Sequence, residues 1–386
     1  MKILHVVASY LPAVRYGGTI VSVHGLCRAL AARGHDVHVF TTSVDGAGDS
    51  DVPHGEPVNL DGVKVWYFRS RHGRRLYYAP DLARALTRDI RGFDIVHTHA
   101  IFLWPLWAAA RAARTAGIPY VVSPRGMLEK GLIAARTRVL KTVWMSLIER
   151  RNLEQAAAIH VTSARELTEA LAFGFKLPPA FEIPNGVDLE WASSLLRHAP
   201  PVAARLRGAP YVLFIGRVSW KKGLDRLIGA LPYLSPELKV VIAGNDDEGL
   251  RPALEDQAAS LGMQNRLIFT GAVQSDEKLR LLANARVLVL PSYSENFGNV
   301  VVEAMAVGCP VVVSPEVGLA PMVERSGSGW VVGGSPSELG GKLSEIAAND
   351  SLRFELGERG KMTARQEYSW PRIAERMGLA YTEVLR

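Results

Sequence analysis

The sequence predicts an α/β protein with two doubly wound domains, each built on a parallel sheet. Three observations indicate this fold class. The chain has 386 residues, more than one hydrophobic core usually organises. Short apolar segments alternate with amphipathic segments, which is typical of parallel strands joined by helical crossovers. The alternation starts again after a polar, proline-bearing stretch at 190–209, so we expect two such domains.

In the first half, the pattern predicts a strand at Lys2–Ala8, a helix at Thr19–Arg33 and a second strand at Asp36–Thr41. Its later strands are predicted at Ile95–Thr98, Tyr120–Ser123, Ala157–Thr162 and Phe181–Pro184. The second half predicts strands at Tyr211–Ile215, Lys239–Ala243, Leu267–Thr270 and Val287–Leu290. Its helices are predicted near Leu224–Leu231, Pro252–Ser260, Glu277–Ala283 and Val300–Ala306.

These segments divide the chain into a first domain at 1–190, a linker at 191–209 and a second domain at 210–370. A helical pattern continues beyond Pro371, and no strand follows it. The helix at 371–386 is therefore a candidate for an element that crosses back to the first domain.

Composition excludes several classes of protein. Apolar residues make up 48% of the chain, too many for a disordered protein. Cys27 and Cys309 lie in apolar segments without metal-binding spacing, so we interpret both as reduced core residues. No apolar run is long enough to span a bilayer, and we expect a cytoplasmic protein.

Positive charge is concentrated in the first half. Residues 1–190 hold 23 Lys+Arg against 17 Asp+Glu, whereas the remainder holds 22 against 21. Such an excess favours phosphates, an acidic membrane surface or nucleic acid as partners, although a solvated surface accounts for most of these arginines. Nucleic acid is disfavoured because the basic residues lack interleaved stacking aromatics.

The segment FIGRVSWKKGLDRL, at 214–227, joins a predicted strand to a predicted helix. Arg217 and Lys222 can face one point beyond the end of the strand. Two converging cations suit a diphosphate, because arginine offers planar donors and lysine a point charge. A turn with solvated charges is the alternative.

The segment SENFGNVVVE, at 294–303, carries one glutamate on each side of a Phe-Gly turn. Gly298 and Asn299 stand at the predicted start of a helix, where exposed amides attract anions. Glu303 lies about one turn into an otherwise apolar helix. A carboxylate in that position needs a partner or a ligand. Together with Glu295 it predicts a site in which amides bind phosphate and carboxylates accept hydrogen bonds from hydroxyls.

Two segments of the first domain also follow strands. Gly17 and Gly18 lie in RYGGT, which offers backbone amides but is not a dinucleotide-binding GxGxxG. His97 and His99 end the strand in DIVHTH. We predict that they lie on opposite faces, with one in a ligand crevice and the other in the core. His99 is favoured for the crevice because it is nearer the strand end.

These motifs, taken together and in their order along the chain, resemble those of the retaining nucleotide-sugar glycosyltransferases of family 4, also called glycosyl transferases group 1. That family has the GT-B fold, in which two Rossmann-like domains face each other across a crevice. Its two glutamates separated by seven residues match Glu295 and Glu303. Its other motifs match Gly17-Gly18, His97-x-His99, Asn185–Asp188, Gly216-Arg217 and Lys222-Gly223.

The resemblance implies a role for each matched residue. Glu303 would hold ribose hydroxyls, and Glu295 would contact the hydroxyls of the donor sugar. Arg217 and Lys222 would bind the diphosphate and stabilise the leaving group. His99 would contact the donor sugar or orient the acceptor. Phosphates and sugar would also be held by backbone groups at Gly17, Gly18, Gly216, Phe297, Gly298 and Asn299.

The implied reaction is transfer of a hexose-type sugar from a UDP- or GDP-sugar with retention and without a metal or other cofactor. Attack on the same face, assisted by the leaving phosphate, is favoured over a covalent glutamyl intermediate. GT-B folds also serve phosphorylases and nucleotide-sugar epimerases, which remain alternatives. A third alternative is a non-catalytic protein that binds nucleotide sugars, although the full set of motif residues disfavours it.

The acceptor is expected to bind the first domain. Arg125 follows a strand in SPRGMLEKG and lines the predicted crevice, and His97 is the second residue assigned to the acceptor side. The following segment, 132–153, predicts a basic amphipathic helix with Trp144. Such a helix suits an anionic membrane and a polyprenyl-diphosphate-linked acceptor, as in bacterial surface polysaccharide synthesis. Packing of its apolar face within the domain is the alternative.

Overall fold

A computed structural model gives the fold and describes residues 1–13, 17–129, 144–194, 202–273 and 275–386. The chain forms two compact units. The first consists of Met1–Gly186 together with Trp370–Arg386, and the second of Val187–Ser369. Each unit has its own sheet and its own hydrophobic core.

The first unit contains an eight-stranded sheet and a small two-stranded ribbon. Its strands are β1 Lys2–Ser9, β2 Asp36–Thr42, β3 Val44–Asp45, β4 Gly48–Asp49, β5 Val58–Leu60, β6 Val63–Phe68, β7 Ile95–His99, β8 Tyr120–Ser123, β9 Ala158–Val161 and β10 Ala180–Glu182. The sheet has the order β10-β9-β8-β7-β1-β2-β6-β5 and is parallel except for the β5–β6 pair. The ribbon consists of β3 and β4.

Helices cover both faces of this sheet, because its central strands are apolar on both sides. The helices described before the second unit begins are α1 Gly18–Ala32, α2 Pro80–Asp89, α3 Trp104–Ala116, α4 Arg150–Glu154 and α5 Ala164–Leu171. Side chains of α2 and α3 join one core, and side chains of α1 join the core on the opposite face.

The second unit is built on a six-stranded parallel sheet of order β13-β12-β11-β14-β15-β16. Its strands are β11 Tyr211–Ile215, β12 Lys239–Ala243, β13 Leu267–Gly271, β14 Val287–Leu290, β15 Val311–Val313 and β16 Gly329–Val331. The described helices are α6 Leu189–Ser194, α7 Ala203–Leu206, α8 Leu224–Gly229, α9 Arg251–Ser260, α10 Ser275–Asn284, α11 Asn299–Val307, α12 Ala320–Ser326, α13 Pro336–Ala348 and α14 Asp350–Glu367. The strand order reverses between β11 and β14.

The last helix, α15 Trp370–Val384, belongs to the first unit. Its first residue, Trp370, fills a space left by two glycines. A Cβ atom on Gly25 would lie 2.3 Å from the indole ring, and one on Gly186 would lie 2.5 Å from it. Further along, the buried Tyr381 hydroxyl reaches His97 of the sheet. The helix is therefore fixed to the first unit at both ends.

The predicted fold class, two Rossmann-like α/β units, is confirmed by the parallel sheets and their crossover helices. The linker at 191–209 stays a prediction, because 195–201 lie outside the described residues. Its flanks form α6 and α7, which belong to the second unit. Within the described parts of the chain, no helix has the length and apolarity needed to cross a membrane.

Candidate active site

Two loops of the second unit carry the predicted site residues, and they leave neighbouring strands. The first follows β11 and the second follows β14, which pairs with β11 in parallel. Ligand sites in open parallel sheets lie beyond the carboxyl ends of the strands where the strand order reverses. The loops touch, since the Tyr293 amide donates to the Lys221 carbonyl at 2.7 Å.

The tip of these loops holds an ion pair. Lys222 Nζ donates a hydrogen bond to Glu295 Oε2, and the two side chains are 18% and 19% exposed. The backbone of Glu295 is held in turn, because its amide donates to Glu316 and its carbonyl accepts from Gly318. Two predicted residues from different elements are thus brought together, one cationic and one anionic.

Gly223 explains why the chain can bring Lys222 so close to the second loop. Its φ of +61° lies in the left-handed region, and a Cβ atom there would lie 2.1 Å from the Pro291 carbonyl oxygen. Only a glycine fits such an approach without displacing backbone. Arg217, by contrast, is exposed, and no described carboxylate pairs with it. It remains available to an anionic ligand.

Glu303 has a partner that sequence reasoning missed. Lys278, on α10, donates from Nζ to Glu303 Oε1 at 2.7 Å, and the side chains are 24% and 17% exposed. The same ammonium lies 5.3 Å from the centre of the Trp191 ring. No described residue donates to the other carboxylate oxygen, Oε2. No sequence signal identified Lys278, because its helix shows an ordinary pattern of surface charge.

The start of α11 has the geometry of an anion site. Gly298 caps the helix with a φ of +92°, and Asn299 is the first helical residue. Amides in the first turn of a helix have no partner within the helix and attract negative charge. Phe297 directs its ring into the core beside Tyr368, with 6.4 Å between ring centres. Its predicted contribution is therefore restricted to the backbone.

The prediction that His97 and His99 lie on opposite faces is wrong. Residues two apart on a strand share a face. Their rings lie 4.2 Å apart, and both side chains are fully buried in the first unit. Neither side chain is exposed. The burial of His99 therefore contradicts the expectation that it opens onto a crevice.

Hydrogen bonds assign the protons of these rings. Arg125 can only donate, so its contact of 3.0 Å makes His99 Nδ1 an acceptor. The Nε2 proton of His99 is then donated to His5 Nδ1 at 2.8 Å. His160 donates from Nε2 to the Ile183 carbonyl, which leaves its Nδ1 to accept from His97 Nε2 at 3.3 Å. His97 Nδ1 accepts from the Tyr381 hydroxyl at 2.6 Å.

These bonds bear on metal binding as well. One nitrogen from each of His5, His97 and His99 lies within 4.8 Å of the others. A metal ligand must offer an unprotonated nitrogen, however, and here each lone pair already accepts a hydrogen bond. His99 donates to His5, Arg125 donates to His99, and the Tyr381 hydroxyl donates to His97. The cluster has the bonding of neutral imidazoles joined to one another.

Burial keeps the four imidazoles neutral. It lowers the pKa of His5 and of His160 from 6.5 to about 3, and Arg125 adds to this effect in both cases. Burial also lowers the pKa of His97 and of His99 well below the ordinary value. An imidazole in this state cannot act as an acid at neutral pH.

Arg125 stands after β8 in a strained conformation. Its φ is +56°, which is uncommon for a residue with a side chain. Its guanidinium donates to Asn185 at 2.7 Å as well as to His99, and both partners are neutral. Strain of this kind persists only where surrounding contacts enforce it, and it is frequent at functional sites. Gly17 and Gly18 lie exposed at the start of α1, and Gly17 caps it with a φ of +78°.

Comparison with known proteins defines the class. The chain aligns with solved GT-B structures over nearly its whole length. Sucrose-phosphate synthase from Thermosynechococcus elongatus has a TM-score of 0.74 at 23% identity, covering 99% of this chain and 98% of that one. Anabaena HepE in complex with UDP and glucose has a TM-score of 0.76 at 20% identity, covering 99% and 100%. These likenesses establish the GT-B fold.

Sequence relationships define the family. The model for glycosyl transferases group 1 matches residues 201–363, and that for the glycosyl transferase 4-like domain matches 17–186. An uncharacterized glycosyltransferase of Methanocaldococcus jannaschii is 28% identical over 97% of this chain and 96% of its own length. D-inositol 3-phosphate glycosyltransferase of Xylanimonas cellulosilytica is 27% identical over 96% and 92%. The chain belongs to the group 1 glycosyltransferases and is an enzyme of that class.

Proposed function

We propose that this glycosyltransferase takes a hexose-type sugar from a UDP- or GDP-sugar and transfers it, with retention, to a glycan or lipid-linked acceptor in bacterial surface polysaccharide synthesis. The observation that supports the donor most directly is the pairing of Lys222 with Glu295, together with an exposed Arg217 in the loop that carries Lys222. Cations and a carboxylate at strand ends suit a diphosphate joined to a sugar. HepE, of the same fold, was solved with UDP-glucose.

In this proposal the cations act on the leaving group. Negative charge grows on the departing diphosphate, and Arg217 and Lys222 stabilise it without a metal. The amides at the start of α11 add fixed dipoles. Glu295 accepts hydrogen bonds from donor-sugar hydroxyls. Glu303 accepts them from ribose hydroxyls through Oε2, to which none of the described residues donates. The incoming hydroxyl attacks the face that the diphosphate leaves. The bond between the sugar and the diphosphate oxygen breaks as the new glycosidic bond forms, and the departing diphosphate takes up the proton of the hydroxyl, so the configuration is preserved.

The acceptor side of the proposal rests on the first unit. Arg125 is assigned to the acceptor, whereas the backbone at Gly17 and Gly18 is assigned to the phosphates and sugar of the donor. His99 is assigned to this side because it accepts a hydrogen bond from Arg125, and His97 because its ring lies 4.2 Å from that of His99. Arg125 donates to neutral partners, and the buried Glu166 carboxylate is the nearby opposite charge that favours its protonated form. An acceptor bearing phosphate would add a counter-charge in direct contact with the guanidinium.

A basic groove supports contact with an anionic membrane. It has a volume of about 470 Å³ and is lined by Arg111, Arg114 and Arg151 beside Trp107 and the exposed Leu147. None of these three arginines pairs with a carboxylate among the residues described. Guanidinium groups beside apolar side chains suit a lipid phosphate at the interface. Arg136, Arg138 and Lys141 of the predicted basic helix lie outside the described residues.

The donor assignment is tested by the thermal shift of the purified chain with UDP, GDP, ADP and their sugar conjugates. A ligand that binds only the native state raises the melting temperature. We expect a shift with one nucleotide family, largely lost in Glu303→Ala and Arg217→Ala and retained in Arg325→Ala, whose side chain is 62% exposed and pairs with Glu367. No shift with any nucleotide, and no hydrolysis of pooled nucleotide sugars, would refute the assignment.

Two further measurements test the chemistry. With the donor that binds, proton NMR of the product should give the anomeric configuration of the donor, and an inverted product would refute retention. Turnover should also survive excess EDTA, because protein cations supply the charge. Loss of activity with EDTA, restored by a divalent cation, would refute the metal-free mechanism.

Membrane contact is tested with vesicles. We expect binding to vesicles containing anionic lipid, release by salt as the Debye length shortens, and weaker binding of Arg111→Ala/Arg151→Ala. Arg84→Ala is the matched control, since this arginine is also exposed but lies on α2. Equal binding to neutral vesicles would contradict the proposal.

A further inference from the structure

We propose that Lys278 is a positioning residue for nucleotide recognition, which fixes Glu303 so that its free oxygen receives the ribose hydroxyls. This inference rests on the proposed nucleotide-sugar function. It adds a residue that no motif contains, on helix α10, which lies outside the two loops predicted to form the site. The basis is the arrangement of three side chains, those of Lys278, Glu303 and Trp191.

The first step concerns the carboxylate. Glu303 is 17% exposed among valine, alanine and methionine side chains of α11. A carboxylate in such surroundings is costly unless a charged or hydrogen-bonding partner meets it. Lys278 supplies that partner at 2.7 Å on Oε1. A carboxylate paired with an ammonium accepts hydrogen bonds on its remaining lone pairs, as two adjacent ribose hydroxyls require.

The second step concerns the lysine, which is held on a second side. Its ammonium lies 5.3 Å from the centre of the Trp191 ring, and Trp191 packs against the core of the second unit. Attraction to the face of an indole restrains a side chain that otherwise has many rotamers. A lysine fixed between an indole and a carboxylate can fix the carboxylate in turn.

The third step concerns what is left for a ligand. Lys278 occupies Oε1, and no described residue donates to Oε2. The carboxylate thus presents one oxygen with both lone pairs available. The same arrangement does not arise at Glu295, where Lys222 belongs to the loop predicted to bind the diphosphate. The two lysines are therefore assigned different tasks: Lys222 contacts the ligand, and Lys278 acts through Glu303.

The test compares ribonucleotides with their 2′-deoxy counterparts by calorimetry, using UDP with dUDP, GDP with dGDP and ADP with dADP. For the pair that binds the unaltered chain, we expect the deoxy form to bind about tenfold more weakly, the usual consequence of losing a hydrogen bond to a charged group. In Lys278→Met the ribonucleotide should weaken about tenfold, and the preference over the deoxy form should shrink to near one. Lys278→Arg should restore most of the preference.

The chain offers a matched control in Lys342. Its ammonium pairs with Glu345 at 2.9 Å and lies 5.0 Å from the centre of the Trp330 ring, so it repeats the arrangement without a predicted ligand. Lys342→Met should leave both affinities unchanged. An unchanged ribose preference in a folded Lys278→Met would overturn the inference and leave the proposed function intact. Failure of all three nucleotides to bind the unaltered chain would overturn both.

Discussion

At the scale of single residues, Gly223 permits the closest approach between the two loops of the candidate site. We expect Gly223→Ala to destabilise the second unit for two separable reasons. A left-handed conformation costs alanine about 1–2 kcal/mol. The added methyl would also lie 2.1 Å from the Pro291 carbonyl oxygen, which requires the loop to move.

Gly249→Ala isolates the first of these costs. Gly249 has a φ of +68°, and nothing lies within 4 Å of the position its Cβ would take. The free energies of unfolding of the two variants, measured in urea, should therefore differ by at least about 1 kcal/mol. This difference is the cost of the steric overlap between the added methyl and the Pro291 carbonyl. Catalytic activity should fall only in Gly223→Ala, because only that loop carries Lys222. Equal stability of the two variants would contradict the close approach.

Single residues also mark where sequence reasoning stops. Glu303 was predicted to need a partner because its neighbours are apolar, and that logic required only local sequence. The partner, Lys278, lies 25 positions earlier on another helix, and only packing brings the two together. The error about His97 and His99 had another source, since strand periodicity alone places residues two apart on one face.

At the scale of elements, α15 contributes one buried hydroxyl to the histidines of the sheet. Tyr381 is fully buried and donates to His97 Nδ1 at 2.6 Å. We expect Tyr381→Phe to lower the free energy of unfolding of the first unit by about 1–3 kcal/mol, because the imidazole acceptor is left unpaired in the core. Tyr233→Phe, at a side chain that is 54% exposed, should change stability little. Urea denaturation of both variants measures the difference, and equal midpoints would refute it.

Strands were predicted correctly where they lie inside a sheet and their sequence is an apolar run. The strands at Tyr120–Ser123, Tyr211–Ile215, Lys239–Ala243 and Val287–Leu290 were predicted with the bounds the structure gives them. None of them is an edge strand, and they are buried on both faces, so their sequences are apolar except at Ser123 and Lys239. The omitted strands were the two-residue β3 and β4 and, within the two larger sheets, β5, β6, β15 and β16, which lie in the outer half of a sheet. Three of them have only three residues, too few for a periodic signal.

At the scale of the whole molecule, the two units differ in how they should respond to acid. Histidines at 5, 97, 99 and 160 form a buried neutral network in the first unit. Sequence composition indicated that the first half is the more basic, and the structure adds that four of its histidines are protected from protonation. Their effect on stability appears only when the unfolded chain can bind protons that the folded chain cannot.

Acidification should therefore lower the free energy of unfolding of the first unit. The pKa of His5 and of His160 is lowered from 6.5 to about 3 by burial. A group with a lowered folded pKa stabilises the protein fully above the unfolded pKa, and that stability is lost as pH falls from about 6.5 toward 3. Between pH 7.5 and 5.0 we expect a loss of about 1–2 kcal/mol for each of these two imidazoles. Urea unfolding at pH 7.5 and at pH 5.0, followed separately for each unit, measures this loss of stability.

His160→Gln tests whether the titrating groups are the buried ones. Glutamine can still donate to the Ile183 carbonyl, which His160 Nε2 contacts at 2.8 Å, but it cannot take up a proton. The variant should be less stable than the parent at pH 7.5, where the imidazole fits its site, and should lose less stability between pH 7.5 and 5.0. If parent and variant lose the same amount, the acid sensitivity originates elsewhere, and the buried network is not its cause.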